Sequence, residues 1–177
     1  MSRIPLAGIE QQPKPISEFI ARRGNLNVFR LLANAPDVFV GWTRMVDELF
    51  DSPTFSLRTR EVAILRVAHL QGARYELDQH TGIARSAGLT QRQINAILDD
   101  GDLDEADFSH TERVVLDLVT ELCTTRRLTD DSFAAGRAAL GDEALTELLM
   151  LISCYYGLAL VLNAADVDVD TAARFQP

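Results

Sequence analysis

Apolar residues recur at intervals of three and four along almost the whole chain, the period of helices with one buried face. Val38, Trp42, Met45, Val46 and Leu49 share one such face, and Val62, Leu65, Val67 and Ala68 supply much of another. The pattern predicts helices over residues 16–23, 27–33, 37–50, 57–70, 74–87, 91–99, 111–126, 130–140 and 142–165. Their ends carry matching signals. Ser56, Thr90 and Thr129 stand where a side-chain oxygen caps the first free backbone N–H groups. Ser109 and Glu112 have the spacing of a reciprocal capping box. Gly24, Gly72, Gly88 and Gly141 fall at helix ends or breaks. The segment 142–165 is apolar on most sides, which predicts a helix at the centre of the fold or against another chain. Val167–Asp170 alternates as a strand would, but it is short and terminal. Pro5, Pro13 and Pro15 make residues 1–15 an extended arm, either loose or draped over a neighbouring subunit. Residues 16–177 read as a single all-α domain, a bundle of about eight or nine helices.

At 177 residues, 47% of them apolar, the chain can bury a core of its own. A net charge of −9 argues against nucleic acid, whose binding depends on cations neutralising phosphates, and equally against an anionic membrane surface. The greasy stretch 148–165 is interrupted by Ser153, Cys154, Tyr155, Tyr156 and Asn163, which predicts a buried helix rather than a membrane span. No apolar signal core opens the chain, so a cytoplasmic location is expected. Asp99, Asp100, Asp102, Asp104, Glu105 and Asp107 predict a solvated acidic loop without the spaced ligands of a calcium loop. Cys123 and Cys154 form no C-x-x-C and are expected as small core residues.

The chemistry-bearing residues concentrate at 57–80. Glu76 and His80 are four apart, so they stack on one helix face, where Glu76 can accept a ring N–H and leave the other nitrogen for a substrate. Glu61 lies eleven residues before Gly72 and His80 eight after it; in an antiparallel hairpin that mismatch is roughly one helical turn. Tyr75 can bring a hydroxyl nearby from a different face. Two carboxylates and an imidazole can make an acid–base site, a metal site or a buried polar cluster. The absence of H-E-x-x-H or a second histidine at helical spacing from His80 weighs against a metal. His69 is expected to be structural and His110 exposed. Arg66, Arg74 or Arg85 could hold a substrate carboxylate, with Phe39, Trp42, Met45 and Tyr156 as candidate pocket walls.

Leu57–Ala68, with Glu61 inside it, then Tyr75-Glu76-Leu77-Asp78-Gln79-His80, then Ala84–Ile94, resemble the carboxymuconolactone decarboxylase family. The resemblance implies an AhpD-like helical bundle that assembles with copies of itself, as a homotrimer or homohexamer. It implies catalytic roles for His80 and Glu61, with Glu76 beside them; Tyr75 is expected to join them, and Trp42, Arg74 and Tyr156 to bind the substrate. The implied reaction is the cofactor-free, metal-free decarboxylation of a small lactone or unsaturated acid by His/Glu acid–base catalysis. The superfamily also holds alkylhydroperoxidases that use a C-x-x-C pair; their cysteine positions fall on Ala73 and Glu76, so no peroxidatic thiolate is expected here. The alternatives are a relative of those peroxidases that has lost its thiols, or a non-catalytic oligomer that binds a small molecule.

Overall fold

The structure, a computed structural model, describes residues 2–98 and 103–170, with the side chain of Asp104 excepted. Among these residues it is all-helical. The helices are α1 (Lys14–Arg22), α2 (Asn27–Leu32), α3 (Pro36–Asp51), α4 (Leu57–Leu70), α5 (Arg74–Ser86), α6 (Gln91–Leu98), α7 (His110–Thr125) and α8 (Asp130–Ala165), with 3₁₀ turns at Ile9–Gln11 and Leu103–Ala106. The predicted caps form. Ser56 Oγ accepts from Thr59 N–H at 3.1 Å, Thr129 Oγ1 from Ser132 N–H at 3.2 Å, and Ser109 and Glu112 exchange both bonds of the capping box. Asp99, Asp100 and Asp102 of the expected acidic loop lie outside the described residues.

Two elements differ from the sequence reading. The first helix opens at Lys14, inside the predicted arm, with Pro15 in its first turn, where a missing N–H costs nothing. The arm is held to its own chain. Ala7 N–H donates to Arg30 O at 3.0 Å, Arg3 N–H to Ala165 O at 2.7 Å and Asn34 Nδ2 to Pro5 O at 2.9 Å, so it lies on its own α2 and the end of α8. The last two predicted helices form as the two arms of α8, parted at Gly141, whose φ of 79° is non-helical and suits glycine.

The centre belongs to α4 rather than to the greasiest helix. Arg60 through Ala68 are all buried, and α4 packs against α5, α6, α7 and α8. That places two arginines and Glu61 in the interior. Arg60 Nη1 donates to Leu49 O at 3.2 Å and Ser52 O at 2.9 Å; Arg66 donates to Thr120 Oγ1 at 2.9 Å and Ile97 O at 3.1 Å. The second arm of α8 contains an 18-residue window of mean hydropathy 1.9, long and apolar enough to cross a membrane, and half of that window is buried within the bundle. Its outer face leaves Met150, Leu160 and Val161 exposed, near Val38 and Met45 of α3. A second apolar cluster joins α1, α2, Phe39, Tyr75, Leu158 and Leu162. Within it, Phe29 and Phe39 each meet Phe19 edge-on, at 5.1 and 5.5 Å.

Candidate functional site

Gly72, at φ 59°, turns the chain between α4 and α5 and sets the two helices antiparallel. That turn carries Glu61 and His80 to one level. Glu61 Oε2 lies 2.9 Å from His80 Nδ1, and Glu76 Oε2 lies 3.2 Å from His80 Nε2. The imidazole is therefore clamped at both nitrogens by buried carboxylates. The expectation of a nitrogen left over for substrate does not hold, because both Glu61 and Glu76 reach the ring. Tyr155 of α8 meets the imidazole edge-on, with ring centroids 5.2 Å apart. Glu61 is fully buried, and its Oε1 has no hydrogen-bond partner among the described residues.

Burial alone would push the imidazole towards neutrality. The Glu61 charge and hydrogen bond, followed by those of Glu76, outweigh it and raise His80 to about 10. The resting state is thus an imidazolium between two carboxylates, a proton donor rather than a free base. Tyr155 is held well above its ordinary value by burial and then by the Glu76 and Glu61 charges, so its phenol stays neutral.

A cavity of about 40 Å³ opens beside this cluster. Leu26, Val28, Phe29, Trp42, Val46, Phe50 and Leu158 make its apolar walls, and Tyr75, Glu76, Gln79, His80, Tyr155 and Cys154 complete them. The volume suits about three water molecules, so the cavity must widen to admit a substrate. Glu76, Tyr75 and His80 reach it as the sequence predicts, and Trp42 joins them; Glu61 stands behind His80 and does not line it.

Other expectations are corrected. Tyr75 turns its hydroxyl away from the imidazole: it accepts from Val28 N–H at 3.2 Å and donates to Asp170. Burial, then Asp170, push its phenol above the ordinary value. Arg74 is exposed and does not line the cavity; it borders a surface groove with Tyr75, Asn163 and Asp166–Val169. Arg85 is tied to Gln91 at the surface, and Arg66 is held inside by Thr120 and Ile97. Tyr156 is half-buried and does not line the cavity; its neighbour Tyr155 does. Phe39 and Met45 line an outer groove between α3 and α8 instead. Cys154, expected as plain core, forms part of the cavity wall, so the cavity is not free of thiols. Burial and the Glu76 charge push that thiol up to about 11, which keeps it protonated and unreactive. Gln79, Tyr155 and Asp170 were not singled out from sequence. Gln79 was readable as the i+4 partner of Tyr75, whereas nothing in the text pairs Asp170 with α5.

The class defined by this geometry is a helical bundle with a buried carboxylate–imidazole–carboxylate relay against an apolar cavity. Residues 36–112, which span α3 to the start of α7 and include Glu61, Glu76 and His80, match the model of the carboxymuconolactone decarboxylase family. The fold is AhpD-like. A peroxidase-related protein from Ralstonia eutropha JMP134 with an alkylhydroperoxidase AhpD core superposes with a TM-score of 0.84 at 19% identity, covering 96% of this chain and 93% of that one. A peroxidase-related protein from Silicibacter sp. TM1040 does so at 0.80 and 14%, covering 96% and 92%. The debrominase Bmp8, solved with 2,3,4-tribromopyrrole, does so at 0.81 and 15%, covering 97% and 95%. No curated protein matches the chain.

Proposed function

We propose that this protein is a cofactor-free acid–base enzyme of the lyase or isomerase type, acting on a small lactone or unsaturated acid. The observation that carries this reading is the single imidazole clamped between two buried carboxylates at a cavity wall. Glu76 is the carboxylate that faces the cavity, and His80 supplies it with a proton from Nε2. Glu61 holds the ring's orientation and charge from behind. In a decarboxylation, the carbon–carbon bond to the carboxylate breaks and its electron pair enters an adjacent carbonyl as an enolate. Carbon dioxide leaves, the Nε2 proton of His80 passes through Glu76 to the carbon, and the imidazole is reprotonated from water. The apolar walls favour the charge-dispersed enolate over the localised carboxylate charge and keep water from competing for it. General acid–base assistance of this kind is worth about 10²–10⁴ in rate.

The test is turnover of a panel of enol-lactone and unsaturated acids in D₂O, followed by NMR. Deuterium delivered to carbon by the wild type, and lost in His80→Gln with the helical circular dichroism intact, is the expected result. A variant that turns over at the wild-type rate overturns the assignment. The exposed apolar residues Val38, Met45, Met150, Leu160 and Val161 support the further proposal that copies of the chain associate. A light-scattering mass of 19.6 kDa in solution would refute it.

A further inference from the structure

The carboxylate of Asp170 sits in a cradle that no residue of the relay uses. Asn27 N–H donates to Oδ1 at 3.0 Å, the Tyr75 hydroxyl donates to Oδ2, and Gln79 Nε2 reaches Oδ2 at 3.4 Å. Tyr75 and Gln79 are nearly fully buried, at 3% and 4% exposure. Both also line the cavity that holds Glu76 and His80. We propose that Tyr75, Gln79 and the Asn27 backbone form a carboxylate-binding subsite, and that Asp170 occupies it here in place of the carboxylate of a substrate.

The layout of α5 makes the assignment specific. Residues 75 and 79 are one i,i+4 pair and residues 76 and 80 the next, about 100° round the helix. One stripe carries neutral donors and the other carries the proton relay, and both border one cavity. Among the described residues, no arginine or lysine lines that cavity. With His80 protonated, the relay holds two carboxylates and one cation, a net negative charge that repels an entering acid. Among the lining groups, the Tyr75 hydroxyl and Gln79 amide are therefore where an acid can dock, with its apolar body towards Trp42, Val46, Phe50 and Leu158. Besides the Asp170 bonds, the segment 167–170 is fixed by Val167 N–H donating to Leu162 O at 3.2 Å, Asn27 Nδ2 to Asp168 O at 3.0 Å, Ser2 N–H to Asp168 Oδ2 at 3.2 Å and Asp168 N–H to Ser2 Oγ at 3.3 Å, the last three exposed. Burial pushes the Asp170 carboxyl above its usual range despite the Tyr75 hydroxyl, so the charged side chain is held at some cost.

The inference rests on the cavity being the reaction site, yet it is tested by binding alone. Trp42 is the sole tryptophan and lines the cavity, so its fluorescence reports occupancy. Benzoate is the probe. The carboxylate it must displace lowers its apparent affinity by the fraction of time the segment is closed. Asp170→Ala is expected to bind benzoate at least about ten-fold more tightly than the wild type. Asp170→Asn, which keeps the side-chain shape and one accepting oxygen and loses the charge, gives a smaller gain and serves if the alanine variant does not fold. Adding Gln79→Ala to either variant cancels the gain, and benzyl alcohol shows none of it. Equal benzoate affinity in the wild type and the folded Asp170 variants overturns the subsite, as does an equal gain for benzyl alcohol. Asp170→Ala with Glu76→Gln should still bind benzoate: if it does while wild-type Glu76 proves dispensable for turnover, the reaction assignment fails and the subsite stands.

Discussion

Two sets of buried charge share α4, and they are satisfied in opposite ways. Arg60 and Arg66 reach out from the helix to backbone carbonyls and a threonine at the ends of neighbouring elements. Each fixes a loop or helix end, and Arg60 also stacks on Phe50 at 5.6 Å. Glu61 turns the other way and meets only another titratable group, leaving one of its oxygens without a partner among the described residues. A buried charge that ends on fixed dipoles is a staple. A buried charge that ends on a proton carrier beside a cavity can change state; an orphan atom does not separate the two sets, since Arg60 Nε and Glu61 Oε1 both lack a partner among the described residues.

The largest expected effect falls on the relay. Glu76→Gln keeps the side-chain shape and should lower turnover by about 10²–10⁴, with the helical signal by circular dichroism unchanged. Next comes the staple. Arg66→Ala removes two bonds from a buried cation and should cost roughly 3 kcal/mol in urea denaturation. Turnover per folded molecule should stay within about two-fold; a loss comparable to that of Glu76→Gln would erase the distinction between the two sets.

A pH series sharpens it further. An unfolded histidine titrates near 6.5. His80 is raised to about 10 in the fold. The stabilisation that the clamp gives is then complete below the unfolded value and is lost as pH climbs through the folded one. The urea midpoint should fall between about pH 6.5 and pH 10 in the wild type, and His80→Gln should flatten that slope, with His80 ring shifts in NMR locating the titration. The smallest effect belongs to Arg74→Ala. Exposed and outside the cavity, it should move stability by no more than about 0.5 kcal/mol and leave turnover unchanged. A ten-fold rise in KM would restore it as a substrate contact.

The helices were legible because their period and punctuation agree: Ser56, Gly72, Ser109 and Thr129 each mark an end that the structure confirms. The meeting of Glu61 with His80 was legible from residue counts about Gly72. What the sequence hid was which helix lies at the centre. Helix α4 carries Arg60, Glu61 and Arg66, and its charged text masks complete burial, while α8 reads as the core and leaves half of its greasiest window uncovered. The choice between Tyr155 and Tyr156 turned on one residue of helical rotation, finer than a pattern of apolar positions resolves. Asp170 was out of reach for another reason: its contact with Tyr75 spans 95 positions and follows no period.

The two ends of the described chain come together at the same place. Ser2 bonds Asp168, Arg3 bonds Ala165, and Asn27 and Tyr75 hold Asp170 two residues further on. A polypeptide fused ahead of Ser2 starts beside the segment that carries Asp170. An N-terminal purification tag is therefore a steric and electrostatic neighbour of that carboxylate, and ligand titrations belong on protein from which such a tag has been cleaved.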